Sequence, residues 1–490
     1  MSAYDELMAF TRETEALASV AGRTGWDQET MMPAGAAEMR GEEMAALESV
    51  LHARRGDPRI GGWLDAAEAP DEVGAAQLRL IRRSHARATK VPARLAVELA
   101  RVTSVAQGEW AAARRGEDWA GFAPRLAQIV ALKQEEGAAL AAGGDAYDAL
   151  LQDYEPGTTA AEIATLFDAL RPPLVDLRAR ILDSAATAPK LSGEFDEAAQ
   201  MALSEKLAAA FGYDFTRGRI DKAVHPFSSG SGTDVRITTR TDPADPFNCF
   251  YSTIHEVGHA TYEQKVDPAY LLTPLGAGAS MGVHESQSRI YENQLGRSRA
   301  FTTWLFHRMQ ESFGDLRIGG PEEFFAAVNR VHSGFIRTEA DEVHYNLHVM
   351  LRFDLERALI AGDLAVADLP GAWNDRFAAD FGVAVDKPSN GVLQDVHWSV
   401  GLFGYFPTYA LGNVYAGCLH QALRRDIPDL DAQMEEGDLS AALDWLARNL
   451  QRHGSRFEPR DTIARACGTE PGAEPLLAYL EEKFAAIYAL

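Results

Sequence analysis

The chain has 490 residues, 46% hydrophobic and 24% charged, with a formal net charge of −24. That length buries a sizeable core, as roughly two to four domain-sized units or as one large helical body. The acidic balance argues against nucleic acid and against an anionic membrane surface as partners, and three scattered cysteines (Cys249, Cys418, Cys467) with no CxxC pair argue against a disulfide framework and for a reducing, cytoplasmic setting.

The first twenty residues lack a basic leader and an unbroken apolar stretch, and read as the first helix of a mature protein. No apolar run is long enough to span a bilayer. "AAEMRGEEMAALESVLHARR" (36–55) and "AEIATLFDALRPPLVDLRARILDSA" (161–185) place apolar residues three and four apart, which predicts amphipathic helices. "HPFSSGSG" (His225 to Gly232) reads as a loop, with "HPF" as a rigid turn. "TDVRITTR" (Thr233 to Arg240) alternates Val235 and Ile237 with Asp234, Arg236 and Thr238, and predicts a strand. Further on, "GVAVDKPSNGVLQD" (382–395) and "SVGLFGYFPTYALGN" (399–413) read as loops. At the C-terminus Leu477, Leu480, Phe484, Ile487 and Tyr488 form one helical stripe, with Pro475 in the first turn. No repeat and no Ser/Gly/Pro linker divides the chain. The expectation is a single, mostly α body over 1–490, with an N-terminal helical lobe or lid and a very small β element near the middle.

The chemistry is concentrated in "YSTIHEVGHATYEQ" (Tyr251 to Gln264). On a helix, His255 and His259 point the same way one turn apart, the geometry two imidazoles need to reach one divalent ion. Glu256 is rotated by about 100° from His255. It is placed to take a proton from a water at that ion and pass it on. About 0.02 chance matches to HExxH are expected in a chain of this histidine content, so the pattern is informative. The flanking Tyr251, Ile254 and Val257 suggest a buried helix, where three polar groups need partners. A third ligand is required. The metzincin extension would need Gly at 262 and His at 265, but Tyr262 and Lys265 stand there. "GVHESQSRIYENQ" (Gly282 to Gln294) offers Glu285, Glu292 and His284. A turn at 266–280 lets a second helix run back with its first turn near the ion, which selects Glu285 and leaves Glu292 as a surface or supporting charge.

Six segments in order resemble the carboxypeptidase Taq family of zinc metallocarboxypeptidases: "HPF" (225–227), "DVRIT" (234–238), "HEVGH" (255–259), "HESQ" (284–287), "IRTEAD" (336–341) and "GVLQDVHW" (391–398). "WDQETMMPAGAAEMR" (26–40) and "YDALLQDYEPG" (147–157) look like that family as well, so the likeness covers nearly the whole chain. The resemblance implies a two-lobed helical clam with a deep cleft, similar to neurolysin. It implies release of single C-terminal residues with broad preference, poor action near proline, zinc with cobalt as a substitute, and a homodimer. Carried over, His255, His259 and Glu285 are ligands and Glu256 is the general base and acid.

Exopeptidase action also needs recognition of a terminal carboxylate, which a planar guanidinium does best. The resemblance assigns this to Arg337; the plainer reading is a salt bridge to Glu339, Asp341 or another neighbour. Arg236 is the second choice, on a strand that either pairs with substrate backbone or forms a small hairpin in which Asp234 and Thr238 hold it. By analogy with related helical zinc peptidases, His397 and Tyr409 contact the substrate and share a developing oxyanion, unless they are packed core groups. Gln394 and Asp395 are expected to orient a ligand or His397. The rivals are an endopeptidase or peptidyl-dipeptidase with the same centre, and a non-catalytic metal-binding protein.

Overall fold

The computed structural model describes residues 2–490. The chain forms two compact units. The first comprises Met1–Thr89, Pro189–Asn329 and Tyr415–Pro471; the second comprises Lys90–Ala188, Arg330–Val414 and Gly472–Leu490. Both are mostly helical, and no helix among the described residues is long and apolar enough to cross a membrane.

The first unit holds a three-stranded sheet of β1 (Ile220–Lys222), β2 (Ser228–Ser231) and β3 (Asp234–Thr239) in the order β1-β3-β2. β3 is the strand the alternation predicts, and Val235 and Ile237 are fully buried on one face. β2 lies inside the stretch expected to be a loop. Serine and glycine carry no alternation signal, and antiparallel pairing with β3 supplies the order. Gly232, at φ +62°, opens the two-residue turn between them, a backbone that glycine adopts without strain.

β3 lies on the helix Pro246–Lys265, where Thr239 Oγ1 donates to the Cys249 carbonyl at 3.1 Å and accepts from Thr253 Oγ1 at 3.0 Å. Asp245 caps this helix, accepting from the Phe247 and Asn248 amides, and Pro246 fills its first turn, where no amide proton is needed. The helix is buried on nearly every face, as its flanking apolar residues suggest. Residues 281–289 form the returning helix, capped by Ser280, and a π-helical segment at Ile290–Leu295 continues it.

Gly258 is the point where these two helices meet. A Cβ there would stand 2.5 Å from the Gln287 carbonyl oxygen and 2.6 Å from the Ser288 Cα, both backbone atoms. Gly258→Ala must therefore push the helices apart. It is expected to cost about 1–3 kcal/mol, read as a lower urea midpoint, and to weaken metal retention because His259 and Glu285 lie on opposite sides of the contact.

The second unit is organised around the helix Glu342–Ala361, capped by Asp341 and buried along most of its length. Its Tyr345, His348, Arg352 and Glu356 follow one another at spacings of three and four, and so share a face. Glu356 is fully buried and accepts from Tyr147 Oη (2.8 Å), Trp398 Nε1 (2.9 Å) and the Gly404 amide (3.0 Å), which pins the segment after His397. The stretch 399–413, expected to be a loop, is so only over 401–406, since residues 399 and 400 close a 3₁₀ turn that begins at His397. Pro407 starts a helix that runs to Asp426, with proline in its favoured first-turn position. In the C-terminal helix, Glu474–Tyr488, the buried stripe is Leu476, Leu480, Lys483, Phe484 and Tyr488; Leu477 and Ile487 are half-buried at its edge.

Candidate functional site

His255 and His259 stand one turn apart with ring centroids separated by 5.0 Å. Glu285, from the returning helix, brings Oε2 to 3.8 Å from His255 Nε2 and 3.5 Å from His259 Nε2. One donor atom from each of the three lies within 4.8 Å of the other two. Two imidazole nitrogens and a carboxylate oxygen converging at this spacing suit a divalent metal ion.

The surrounding hydrogen bonds present the correct nitrogens. Glu292 Oε2 accepts from His255 Nδ1 at 2.9 Å, so a neutral His255 carries its lone pair on Nε2. Glu263 Oε1 accepts from His284 Nε2 at 2.9 Å. His284 Nδ1 is then free to accept from His259 Nδ1 at 2.6 Å, which leaves the His259 lone pair on Nε2 as well. These proton positions follow from the network. His284 is thus turned behind His259, not into the converging set. Glu292 is not a surface charge: it is largely buried, held by Arg289 at 3.2 Å and Arg297 at 3.2 Å as well as by His255. Its place two turns after Glu285 is the signal that it shares that face. Glu263, one turn after His259, is the corresponding signal for the second relay.

The electrostatics divide the set: burial works against a charged His255, but Glu285 and Glu292 outweigh it and raise its pKa, whereas His259 and Glu285 are shifted toward the forms a metal ligand needs. Burial pushes His259 down to about 3, so the imidazole is neutral. Burial works against ionised Glu285, but Arg289 and the two histidines outweigh it and hold the carboxyl well below the usual range; Arg289 Nε donates to Glu285 Oε1 at 2.7 Å. Glu256, beside this set on the same helix, is pushed up to about 7, chiefly by burial. A carboxylate of that basicity can take and return a proton near neutrality. Glu292→Ala removes the acceptor that aligns His255, and is expected to weaken metal affinity roughly 10–100-fold, measured by competition with a chelator.

Arg337, His397 and Tyr409 are placed together in the second unit. Arg337 is 4% exposed. Its Nε and Nη2 donate to Asp395 Oδ1 at 3.1 and 2.9 Å, and its Nη1 donates to Tyr345 Oη at 3.1 Å. Its guanidinium carbon lies 4.9 Å from the Tyr409 ring centroid. Its salt-bridge partner is therefore Asp395. Glu339 is exposed, and Asp341 caps the next helix and binds His344. Gln394 accepts from the Arg337 amide at 3.0 Å, so Gln394 and Asp395 fix this arginine, where a role at a ligand or at His397 was expected. The reason is that residues 57 and 58 positions apart meet only through the fold.

His397 Nε2 is 3.1 Å from Tyr409 Oη, and burial pushes the imidazole down to about 3. Its Nδ1 has no partner among the described residues. Arg236 is tied to Asp234 at 2.7 Å and lies 4.5 Å from the Trp26 ring centroid, and Thr238 accepts from the Phe227 amide at 2.9 Å. Asp234 thus holds Arg236 as expected, whereas Thr238 is engaged with the backbone of residues 225–227 and not with Arg236. His225 is exposed before β2.

A family profile for carboxypeptidase Taq (M32) metallopeptidase matches residues 6–484. The chain is 44% identical to thermostable carboxypeptidase 1 of Thermus thermophilus over 99% of both chains. It is 34% identical to carboxypeptidase 1 of Bacillus subtilis, covering 99% of this chain and 98% of that one. The crystal structure of the M32 carboxypeptidase from Deinococcus radiodurans superposes with a TM-score of 0.96 at 38% identity, over 100% of each chain. The chain belongs to the carboxypeptidase Taq (M32) family, metal-dependent peptide hydrolases of the carboxypeptidase type.

Proposed function

We propose that the protein removes single C-terminal residues from peptides with broad specificity, using one zinc ion held by His255, His259 and Glu285. The observation that carries the metal part is the convergence of these three donors with both Nδ1 atoms already engaged. Arg337 binds the terminal carboxylate; a buried guanidinium among Tyr345, Tyr409 and Asp395 supports this. His255, His259 and Glu285 would hold the ion, which when bound would make a water more acidic and polarise the scissile carbonyl. Glu256 takes the proton of the attacking water and delivers it to the departing amine. Tyr409 and His397 supply hydrogen-bonding groups toward the developing negative charge, with Arg236 as a lesser contact to substrate. We extend the reading to a cytoplasmic homodimer in which cobalt also supports activity.

The test compares an N-acylated dipeptide with its C-terminal amide. The free acid is expected to be hydrolysed and the amide nearly inert. Equal rates on the two would mean that the terminal carboxylate is not recognised.

A further inference from the structure

Arg337 does not have Asp395 to itself. On the opposite carboxylate oxygen, Arg352 Nε donates to Asp395 Oδ2 at 2.7 Å and its Nη2 stands at 2.5 Å. The contacts of Arg337 to Oδ1 are longer, 2.9 and 3.1 Å. Arg352 is fully buried, its third nitrogen is spent on the His348 carbonyl at 2.7 Å, and its guanidinium carbon lies 4.6 Å from the Trp373 ring centroid. Among the described residues Asp395 is the one carboxylate in ion-pair contact with either arginine. The other acidic groups of this region are engaged or exposed: Asp341 with His344, Glu342 with Lys483, Glu356 with Tyr147, Trp398 and Gly404, and Glu339 at the surface. Two buried guanidiniums therefore share one carboxylate, and the set carries one positive charge in excess.

We infer that Arg352 is a positioning residue for carboxylate recognition: by taking the closer share of Asp395, it leaves Arg337 with positive charge that the C-terminal carboxylate of a peptide neutralises. This rests on the reading of Arg337 given above. An excess charge in a buried site is costly unless a partner completes it, and its attraction for an anion is strong where water is scarce. An isolated Arg337–Asp395 pair would be neutral and would offer an incoming carboxylate little beyond hydrogen bonds. Burial pushes Arg352 down to about 10, Asp395 partly offsetting it, so the group stays charged near neutrality. A buried aspartate between two arginines also holds the Arg337 fork in one orientation, ready for bidentate binding.

The test is a charge-balance cycle with free-acid acyl-dipeptides as substrates. Arg352→Gln makes the set neutral, and should raise KM at least about 10-fold with kcat within about 2-fold of the wild type. The double variant Arg352→Gln/Asp395→Asn restores the single positive charge, and should bring KM back to within about 3-fold. A purely structural role predicts no such rescue. Arg352→Lys keeps the charge and should leave KM within about 3-fold of the wild type. If Arg352→Gln does not fold, the lysine and double variants decide. A 10-fold rise in KM in both would overturn the inference, as would an unchanged KM in a folded Arg352→Gln. Arg337→Gln separates the two levels. An unchanged KM in that variant removes the carboxylate-site reading and this inference together. A raised KM there with an unchanged KM in Arg352→Gln removes this inference alone.

Discussion

Replacing Glu256 by glutamine is expected to lower kcat by roughly 10²–10⁴-fold, the range a general acid–base group supplies, while the bound metal stays at one equivalent. The two effects separate because Glu256 is absent from the converging donor set, which consists of His255, His259 and Glu285. The amide matches the carboxylate in shape, so the fold should tolerate it. Burial already pushes the acid toward its neutral form, and a neutral amide in that place removes a buried charge without leaving a new one. Stability should thus be equal to that of the wild type or slightly higher. Metal content by atomic absorption and kcat on an acyl-dipeptide are measured on the same preparation. Full activity in this variant would refute the base assignment, and loss of metal would make Glu256 a ligand.

Replacing Arg337 by glutamine should lower kcat/KM on free-acid substrates by about 10²–10³-fold, in line with the 2–5 kcal/mol that truncating one partner of a buried charge pair costs. The already low rate on amidated substrates should barely change, since an amide offers no charge to bind. The loss should fall mainly on KM if the carboxylate is held equally in ground and transition states, and on kcat as well if it aligns the scissile bond. The variant should fold, because Asp395 keeps Arg352 as its partner. Lysine at 337 should not rescue activity fully, as a point charge cannot reproduce the planar fork that donates to Asp395 and Tyr345 at once. Steady-state kinetics on matched acid and amide substrates measures all of this.

The parts of this arrangement that were legible in the sequence are those set by local geometry. Two histidines four residues apart must share a helix face. A turn over 266–280 followed by a helix running back selects Glu285, and alternation alone locates β3. The parts that escaped depend on contacts between distant segments. β2 is ordered by its neighbour and carries no pattern of its own. Arg352 sits in "HVMLRFDLE", where it looks like an ordinary polar position. Only the fold places it against Asp395, 43 residues later. Gly258 likewise has no local reason to be glycine, and its reason is the backbone of Gln287 and Ser288 crossing 2.5–2.6 Å from where its Cβ would be. His284 and Glu292 were legible as candidates but not as roles. Which of several acidic and imidazole groups on one helix joins the converging set, and which stands behind it, depends on side-chain direction, and the 25 residues between His259 and Glu285 do not encode that locally.

The most direct test of the whole account is a crystal structure of the Glu256→Gln variant loaded with zinc and soaked with an N-acyl dipeptide. The account predicts one ion bound by His255 Nε2, His259 Nε2 and Glu285, the scissile carbonyl beside it, and the terminal carboxylate hydrogen-bonded to the Arg337 guanidinium. An ion bound by His284 or Glu292 in place of these ligands, or a terminal carboxylate bound away from Arg337, would contradict it.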